Sequence, residues 1–550
     1  MRKSITILLT LAICLGLSAC GGDKKPTDSP SASSPSSSAP AASNIETVPY
    51  EFGITTTENG YIHHYNAGTS VLKTDKEGFI SSGDFYISLP KGSKISCNKD
   101  FAFFCYDEDF ILDSGIMADS GLTLKFFAPE LKSGSYHLAN DCYVKFSVKG
   151  SMSDIKLEVP KGHEKTVMAG SRKEIEIMPT IKLMTQNLDG RDKAVNYIFI
   201  TDIHYGSSLT TDKGAALLRQ VENAVALANS IDSIDFICVG GDTTTGMYET
   251  KADALKFTTE ILEPLKQSKK PVFILMGNHD DNSYHRFTYD VYYPERIISD
   301  KDWNDNIIKA FCPDNIVKDS GYKDSKYYYY DLADKKTRVI CLDAVDYRAK
   351  YNSKGVISEL PIKDPSAEKH VSKYWSGCSW WGYSDNQIEW LMKEAMTAGN
   401  DWNYVFLSHM GIDKQTNCYG YQTQNGAELR KIISAYQNKS TCRIGVNKAD
   451  FSKTKGRILS YQFGHVHNEI VFNSSDIDLW QICTATASIP STSSETDIKD
   501  TDINDKTLDW KLLDRVLGTD TEACFDVMSV DGSKIQKWNI GGGNDVEVNQ

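Results

Sequence analysis

The strongest constraint on the fold of this chain is a regular alternation of apolar runs and helix-periodic segments in its middle part. Three continuous apolar runs predict buried parallel strands, at 196–201, 235–239 and 272–276. Apolar residues recur at helical spacing in the two segments between them, 214–229 and 252–265. This order predicts a layered α/β domain. Further elements are predicted downstream, as strands at 327–331, 339–342, 404–407 and 458–463 and helices at 385–397 and 427–437.

Polar motifs directly follow five of these predicted strands. They are Asp202-Ile203-His204, Gly240-Gly241-Asp242, Gly277-Asn278-His279-Asp280, Ser408-His409 and Gly464-His465-Val466-His467. Each motif alone is compatible with an ordinary turn. Together they hold five of the eleven histidines, and the carboxyl ends of strands in α/β sheets converge on one ligand-binding edge. The joint pattern therefore indicates one polar site.

This series of motifs is similar to the signature of calcineurin-like metallophosphoesterases, over residues 195–487. The resemblance implies an α/β metallophosphoesterase β-sandwich flanked by helices. It also implies two metal ions that share Asp242. One ion would be held by Asp202, His204, Asp242 and His467, and the other by Asp242, Asn278, His409 and His465. His279 would contact phosphate and leaving group without binding metal, oriented by Asp280.

The expected chemistry is hydrolysis of a phosphate ester by a hydroxide that two metal ions activate. Mixed imidazole and carboxylate ligands suit Mn, Fe, Zn or Ni, as divalent or mixed-valence ions. A shared carboxylate such as Asp242 can hold two ions ~3.5–4 Å apart, and His279 can protonate the leaving group. A diester is favoured over a monoester, because a monoester dianion usually recruits an extra Arg or Lys, and the motifs contain none.

An alternative function is a surface binding or adhesin lipoprotein on a degenerate phosphoesterase scaffold. Loss of a ligand position would favour it, and none is missing. The net charge of −13 predicts no basic surface on which the protein could bind a nucleic acid as a scaffold. The expected partner is therefore a phosphate-ester substrate.

The amino terminus reads as an export signal. Arg2 and Lys3 precede an apolar stretch at 5–17, and the signal peptide is predicted to cover 1–19. Residues 17–20, ending in Cys20, resemble the bacterial lipobox. This resemblance implies lipidation of Cys20 and an extracytoplasmic protein anchored to a bacterial membrane.

Four segments are predicted to follow the signal peptide. Residues 20–44 are rich in Ser, Pro and Ala and predict a disordered tether. Period-two alternation over 45–167 predicts a small all-β sandwich, loosely jelly-roll-like. A structural spacer is its favoured role, and glycan contact stays open. Residues 168–192 are predicted to be a linker, and 193–550 the metallophosphoesterase domain with a carboxyl-terminal extension. Together these segments satisfy the expectation that 550 residues need more than one core.

Two further questions stay open at this stage. Cys97, Cys105 and Cys142 could include one disulfide, which sequence alone cannot pair. The tryptophans at 375, 380 and 381 could stack on a nucleobase or sugar of the substrate, or pack beneath their own loop.

Overall fold

The structure is a computed structural model, and it describes residues 45–52, 57–66, 69–74, 76–108, 110–120, 124–125, 128–129, 132–206, 209, 211–284, 294–346, 350–351, 357–359, 381–416, 423–488, 509–511, 515–519 and 521–550. The predicted signal peptide, Cys20 and the tether lie outside these residues, as do Trp375 and Trp380. None of the described helices combines the length and hydropathy needed to cross a bilayer.

The amino-terminal part is built from antiparallel strands. Nine of them form one sheet, in which the path β1-β12-β7-β11-β5-β2 is joined by β6, β10 and β13. The pairs β3-β4 and β8-β9 lie outside it. The strands are β1 Thr47–Tyr50, β2 Glu58–Asn59, β3 Tyr61–Asn66, β4 Thr69–Lys73, β5 Phe79–Ser81, β6 Phe85–Leu89, β7 Lys94–Tyr106, β8 Leu124–Lys125, β9 Ala128–Pro129, β10 Lys132–His137, β11 Cys142–Lys149, β12 Ile155–Pro160 and β13 Ala169–Ser171.

This sheet encloses its own apolar core, which confirms the all-β prediction for the amino-terminal part. Phe103, Val144 and Phe146 are fully buried there, at the period-two spacing that the sequence displays. Cys97, Cys105 and Cys142 are buried free thiols, so the disulfide left open in this region is not formed.

Residues 168–192 are not the linker that the sequence predicted. They form β13 and a helix of sixteen residues, α2 (Arg172–Asn187). A capping box begins α2, with Ser171 and Glu174 bonding to each other's backbone. Ile175 packs into the amino-terminal core, whereas Met184 belongs to the core of the second part. The helix therefore connects the two cores directly.

Two sheets form the second part of the chain. Sheet 1 has six strands in the order β16-β15-β14-β29-β30-β31, and sheet 2 has eight in the order β17-β18-β19-β22-β25-β27-β26-β28. The remaining strands form the pairs β20-β21 and β23-β24. The strands are β14 Val195–Ile200, β15 Phe236–Val239, β16 Val272–Ile274, β17 Val317–Lys318, β18 Tyr328–Leu332, β19 Thr337–Cys341, β20 Lys350–Tyr351, β21 Ile357–Glu359, β22 Asn403–Leu407, β23 Thr441–Ile444, β24 Asn447–Asp450, β25 Ile458–Phe463, β26 Glu469–Ser474, β27 Leu479–Cys483, β28 Asp509–Lys511, β29 Cys524–Val530, β30 Lys534–Gly541 and β31 Val546–Asn549.

Helices cover the outer faces of these sheets. They are α3 Asp212–Ser230, α4 Lys251–Leu262, α5 Asp300–Trp303, α6 Lys309–Phe311, α7 Asp385–Trp390 and α8 Gly426–Gln437, and π-helical turns follow α5 at Asn304–Ile308 and α7 at Leu391–Ala395. A short helix of the amino-terminal part, α1, spans Ser114–Asp119. Helix α3 packs on β14 and β15 of sheet 1, and α8 packs on β25 of sheet 2. The predicted strands and helices of this part are confirmed, with shifts of a few residues at their ends.

The inner faces of the two sheets share one core. Phe273 of sheet 1 contacts the rings of Tyr328 and Tyr330 of sheet 2. The phenol of Tyr328 also donates to the carbonyl oxygen of Ile274 at 3.0 Å. Such a β-sandwich between helical layers brings the carboxyl ends of β14–β16 and of β19, β22 and β25 toward one edge.

Candidate metal centre

Six titratable side chains from the predicted motifs converge at this edge in two groups that share Asp242. Within each group the candidate ligand atoms lie within 4.8 Å of one another; the groups are Asp202, His204, Asp242 and His467, and Asp242, His409 and His465. Asn278 joins the second group, because its Oδ1 lies 3.1 Å from Nε2 of His409. The structure thus brings together all seven residues that the sequence assigned as metal ligands.

In the first group two imidazoles point at the same place. The Nε2 atoms of His204 and His467 are 2.9 Å apart. Both also face Asp202, whose Oδ1 lies 3.8 Å from Nε2 of His204 and 3.4 Å from Nε2 of His467. Nitrogen lone pairs and a carboxylate oxygen that converge on one point form the arrangement that a transition-metal cation requires.

Asp242 connects the two groups through a single oxygen. Its Oδ2 lies 3.3 Å from Nε2 of His409 and 3.8 Å from Nε2 of His204. The other oxygen, Oδ1, accepts the backbone N–H of His279 at 2.8 Å. One carboxylate therefore fixes the loop with one oxygen and presents the other to both groups.

The two aspartates leave buried oxygens without a hydrogen-bond donor. Oδ1 of Asp202 and Oδ2 of Asp242 are both buried and accept no hydrogen bond. The second oxygen of Asp202 is satisfied, by the Thr201 hydroxyl at 2.7 Å and the His465 N–H at 2.9 Å. A buried carboxylate oxygen without a hydrogen-bond donor destabilises the folded state unless another group compensates its charge. The two unpaired oxygens therefore agree with cations bound at this site.

The histidine electrostatics are consistent with such ligands. Burial, reinforced by nearby His409, lowers the pKa of His465 to about 3, which keeps this imidazole neutral. Burial also opposes the charging of His409, but the Asp242 carboxylate outweighs it and raises the pKa of His409 to about 9. A metal ion between Asp242 and His409 would take the place of the proton that this pair otherwise holds.

Backbone strain is concentrated at the same positions. Asp202, His204 and Asp242 have φ values of 54°, 47° and 50°, and His465 and His467 have 68° and 65°. The left-handed region is unfavourable for residues other than glycine, and strain of this kind clusters at functional sites. In the first and last motifs it turns two residues, separated by one position, toward the ligand groups.

The glycine of the third motif is required by close packing. A Cβ atom at Gly277 would lie 2.2 Å from the Asp242 backbone nitrogen and from its Oδ1. Any side chain there would displace the shared carboxylate, so Gly277 allows the third loop to approach the second.

His279 lies beside the two groups with one nitrogen committed. Its Nδ1 lies 2.8 Å from the backbone carbonyl oxygen of Thr245, which can only accept a hydrogen bond, so Nδ1 carries the proton of that bond. Its Nε2 faces the site, 3.8 Å from Oδ2 of Asp242. Nε2 is therefore the nitrogen that can donate a proton to the site when the ring is in its doubly protonated, cationic form.

The direct orienting role expected for Asp280 is wrong, because Thr245 makes that contact. Both carboxylate oxygens of Asp280 are used by backbone N–H groups, those of Thr243 and Gly277 at 2.8 Å and that of Thr244 at 3.3 Å. Asp280 therefore ties the second and third loops together and acts on His279 only through them. A main-chain carbonyl leaves no mark in the sequence, so Thr245 could not have been identified from it.

Two half-buried aromatic residues contact the site. Trp381 lies edge-on to His465, with ring centroids 4.8 Å apart, and therefore adjoins the site. Of the three tryptophans considered in the sequence analysis, it is the one that the structure describes. Tyr284 stacks on His279, and no sequence signal distinguished it from other tyrosines.

The comparison with known proteins agrees with this architecture. Residues 195–468 match the family model of calcineurin-like phosphoesterases, which confirms the predicted metallophosphoesterase fold. The match and the two ligand groups support metal-dependent phosphoester hydrolysis by this part of the chain. No curated protein matches the sequence.

Solved structures with similarity to the chain include two proteins of low sequence identity. One is a dimetal phosphatase from Danio rerio, with 12% identity and a TM-score of 0.41, covering 64% of this chain and 98% of that one. The other is GAP50, the anchor in the inner membrane complex of Plasmodium, with 11% identity and a TM-score of 0.32, covering 65% of this chain and 89% of that one.

Proposed function

We propose that this protein hydrolyses a phosphodiester outside the cytoplasm, at a two-metal site built from the seven converging residues. The observation that carries the proposal is the pair of ligand groups that share one orphaned oxygen of Asp242. One ion would be held by Asp202, His204, Asp242 and His467, and the other by Asp242, Asn278, His409 and His465. Two such ions supply Lewis acidity toward the phosphoryl group and an acidified water as nucleophile.

The protein's own part in the reaction is to place groups around the phosphorus. Asp242 holds the third loop in position by accepting the His279 N–H. The Thr245 carbonyl fixes the His279 tautomer and leaves Nε2 toward the site. As the bond from phosphorus to the leaving oxygen breaks, the cationic His279 ring gives its Nε2 proton to that oxygen and becomes neutral with Nδ1 still protonated, while the oxygen of water forms the new bond to phosphorus.

The charges around the site favour a diester over a monoester. Within the described ranges, no lysine or arginine forms an ion pair with Asp202, Asp242 or Asp280. Burial raises the pKa of Asp202, and the groups that outweigh this effect and lower the pKa are His467 and His409. A monoester dianion usually requires an added Arg or Lys clamp. A singly charged diester needs less compensation.

Metal content and turnover together test this function. The purified protein should contain about two transition-metal ions per chain and should hydrolyse bis(p-nitrophenyl) phosphate faster than p-nitrophenyl phosphate. Chelation should abolish both activities, and readdition of Mn, Zn, Fe or Ni should restore them. A metal-free, inactive protein would instead support the degenerate scaffold, whereas faster monoester turnover would remove the diester assignment alone.

We also propose that the protein is anchored through lipid on Cys20. Support comes from the lipobox-like residues 17–20 behind a basic and apolar amino terminus. Replacing Cys20 with Ser should move the protein from the detergent phase to the aqueous phase in Triton X-114 partitioning, because one residue carries the acyl chains. Replacing Ser18 with Ala is a matched control, and this variant should stay in the detergent phase. Unchanged partitioning of Cys20→Ser would refute the anchor.

A further inference from the structure

Two contacts hold the His279 imidazole. The hydrogen bond from Nδ1 to the Thr245 carbonyl fixes one edge of the ring. The phenol ring of Tyr284 lies against its face, with centroids 3.7 Å apart and planes inclined by 22°. One hydrogen bond leaves the ring free to tilt about the N–H···O line, so the stacked contact restrains the plane of the ring.

Tyr284 is itself fixed to the loop that supplies the Thr245 carbonyl. Its backbone N–H donates to the Gly246 carbonyl oxygen at 3.0 Å. Gly246 has a φ of 68°, and a Cβ there would lie 2.2 Å from the His279 carbonyl oxygen. The segments 245–246 and 279–284 therefore pass against each other with no room for a side chain between them.

A second pair of bonds links the segment 279–284 to Tyr248, two residues beyond Gly246. Oδ1 of Asn282 accepts the Tyr248 N–H at 2.8 Å, and its Nδ2 donates to the Tyr248 carbonyl oxygen at 3.1 Å. Asn282 has a φ of 63°, so its strained backbone is stabilised by these bonds. Tyr284 thus lies on a segment that hydrogen bonds tie to residues 246–248.

The other side of the His279 ring is bounded by the site. His204 meets it edge-on, with centroids 4.6 Å apart and an angle of 82° between the planes. Between Tyr284 and His204 the imidazole has little rotational freedom, and its side chain keeps only 13% of its surface exposed. Nε2 is the part of the ring that remains directed at the site.

We propose that Tyr284 is a positioning residue, whose stacked ring holds the His279 imidazole in the plane from which Nε2 reaches the leaving group. The inference rests on the proposed function, because it deepens the role of His279 as proton donor. It differs from a substrate-binding role for Tyr284, in which the phenol would contact the ester itself. It also differs from a purely structural role, which would affect all substrates and metal binding alike.

The test compares Tyr284→Leu, which removes the stacked ring, with Tyr284→Phe, which keeps it. The substrates are methyl phenyl phosphate, whose phenolate needs a proton, and methyl p-nitrophenyl phosphate, whose leaving group does not. Tyr284→Leu should lower kcat on methyl phenyl phosphate by ~3- to 10-fold, the size of one lost aromatic contact. Turnover of methyl p-nitrophenyl phosphate, KM and metal content should stay close to wild type, and Tyr284→Phe should retain activity on both esters.

The same substitution in a His279→Gln background provides the decisive comparison. If Tyr284 acts through the imidazole, adding Tyr284→Leu to His279→Gln should change the ratio of the two kcat values no further, because coupled residues are not additive. An equal slowdown on both esters, a full additional loss in the double variant, or a rise confined to KM would each overturn the positioning role.

A measurement independent of turnover separates failure of this inference from failure of the proposed function. In zinc-loaded protein with 13C-labelled histidines, the His279 resonance is identified by its loss in His279→Gln. Stacking predicts an upfield ring-current shift that disappears in Tyr284→Leu and persists in Tyr284→Phe. A protein that shows this shift but hydrolyses no ester would refute the proposed function, whereas absence of the shift would refute the role of Tyr284 whatever the activity.

Discussion

Replacing Asp242 with Asn is expected to remove or misplace both metal ions and to lower kcat/KM on every ester by ~10³-fold or more, given that bound metals contribute several kcal/mol to transition-state stabilisation. The amide can retain the hydrogen bond that Oδ1 accepts from the His279 N–H. Its NH₂ group then replaces Oδ2, the oxygen that faces both His204 and His409. The loop would keep its shape and lose the shared anionic ligand. Metal analysis and kinetics on a diester and a monoester measure the effect.

Asp531→Asn is the matched control for this change. Asp531 follows Val530, which pairs with Val195 at the start of β14, so it lies at the end of sheet 1 opposite to Asp202. Its carboxylate bonds to Arg191 and Ser533, and the amide should leave metal content and activity near wild type. Retention of both ions in Asp242→Asn, or a loss confined to one substrate, would contradict the shared-ligand assignment.

The sequence identifies the strands of this domain where they are apolar throughout. All six residues of β14 are buried, as are all four of β15, so continuous apolar runs marked them. Parallel pairing of β14 with β15 and of β22 with β25 then places their carboxyl ends together. The site residues could be assigned because they follow these ends immediately.

The carboxyl-terminal strands could not be recognised in the same way. Strand β30 carries Lys537, a residue that normally lies at the surface, yet here it is fully buried. Its ammonium group pairs with Glu469, next to the last metal-site motif, and with Asp526 at 3.4 Å. Glu469 lies 68 residues before Lys537 along the chain and is invisible to a local pattern. Residues 524–549 were therefore predicted only as an extension of the domain.

The linker prediction failed for a related reason. Helix α2 buries only Ile175, Ile177 and Met184 and contains Pro179, so its apolar periodicity is faint. Its formation depends on the two cores that it joins. The orientation of His279 was missed because a backbone carbonyl, that of Thr245, provides it.

Replacing His279 with Gln should produce a different loss from that of Asp242→Asn. The backbone N–H that Asp242 accepts is retained in the variant, and the Nε2 atom of His279 belongs to neither ligand group. Both metal ions should therefore remain bound. General acid catalysis typically contributes ~10²–10⁴-fold, and its value rises with the basicity of the leaving group.

Alkyl and ribose esters should accordingly lose most of that factor in His279→Gln, whereas p-nitrophenyl esters should be much less affected, because p-nitrophenolate departs without a proton. Paired kcat measurements on methyl phenyl phosphate and methyl p-nitrophenyl phosphate, with metal analysis of the same preparations, measure this difference. Loss of a metal ion would mean that His279 binds a metal ion itself or holds one of the metal ligands in place. Equal slowing of both esters, with the metals retained, would mean that His279 stabilises the phosphoryl group and that the proton comes from elsewhere. Only selective impairment with both ions in place agrees with a proton delivered from Nε2.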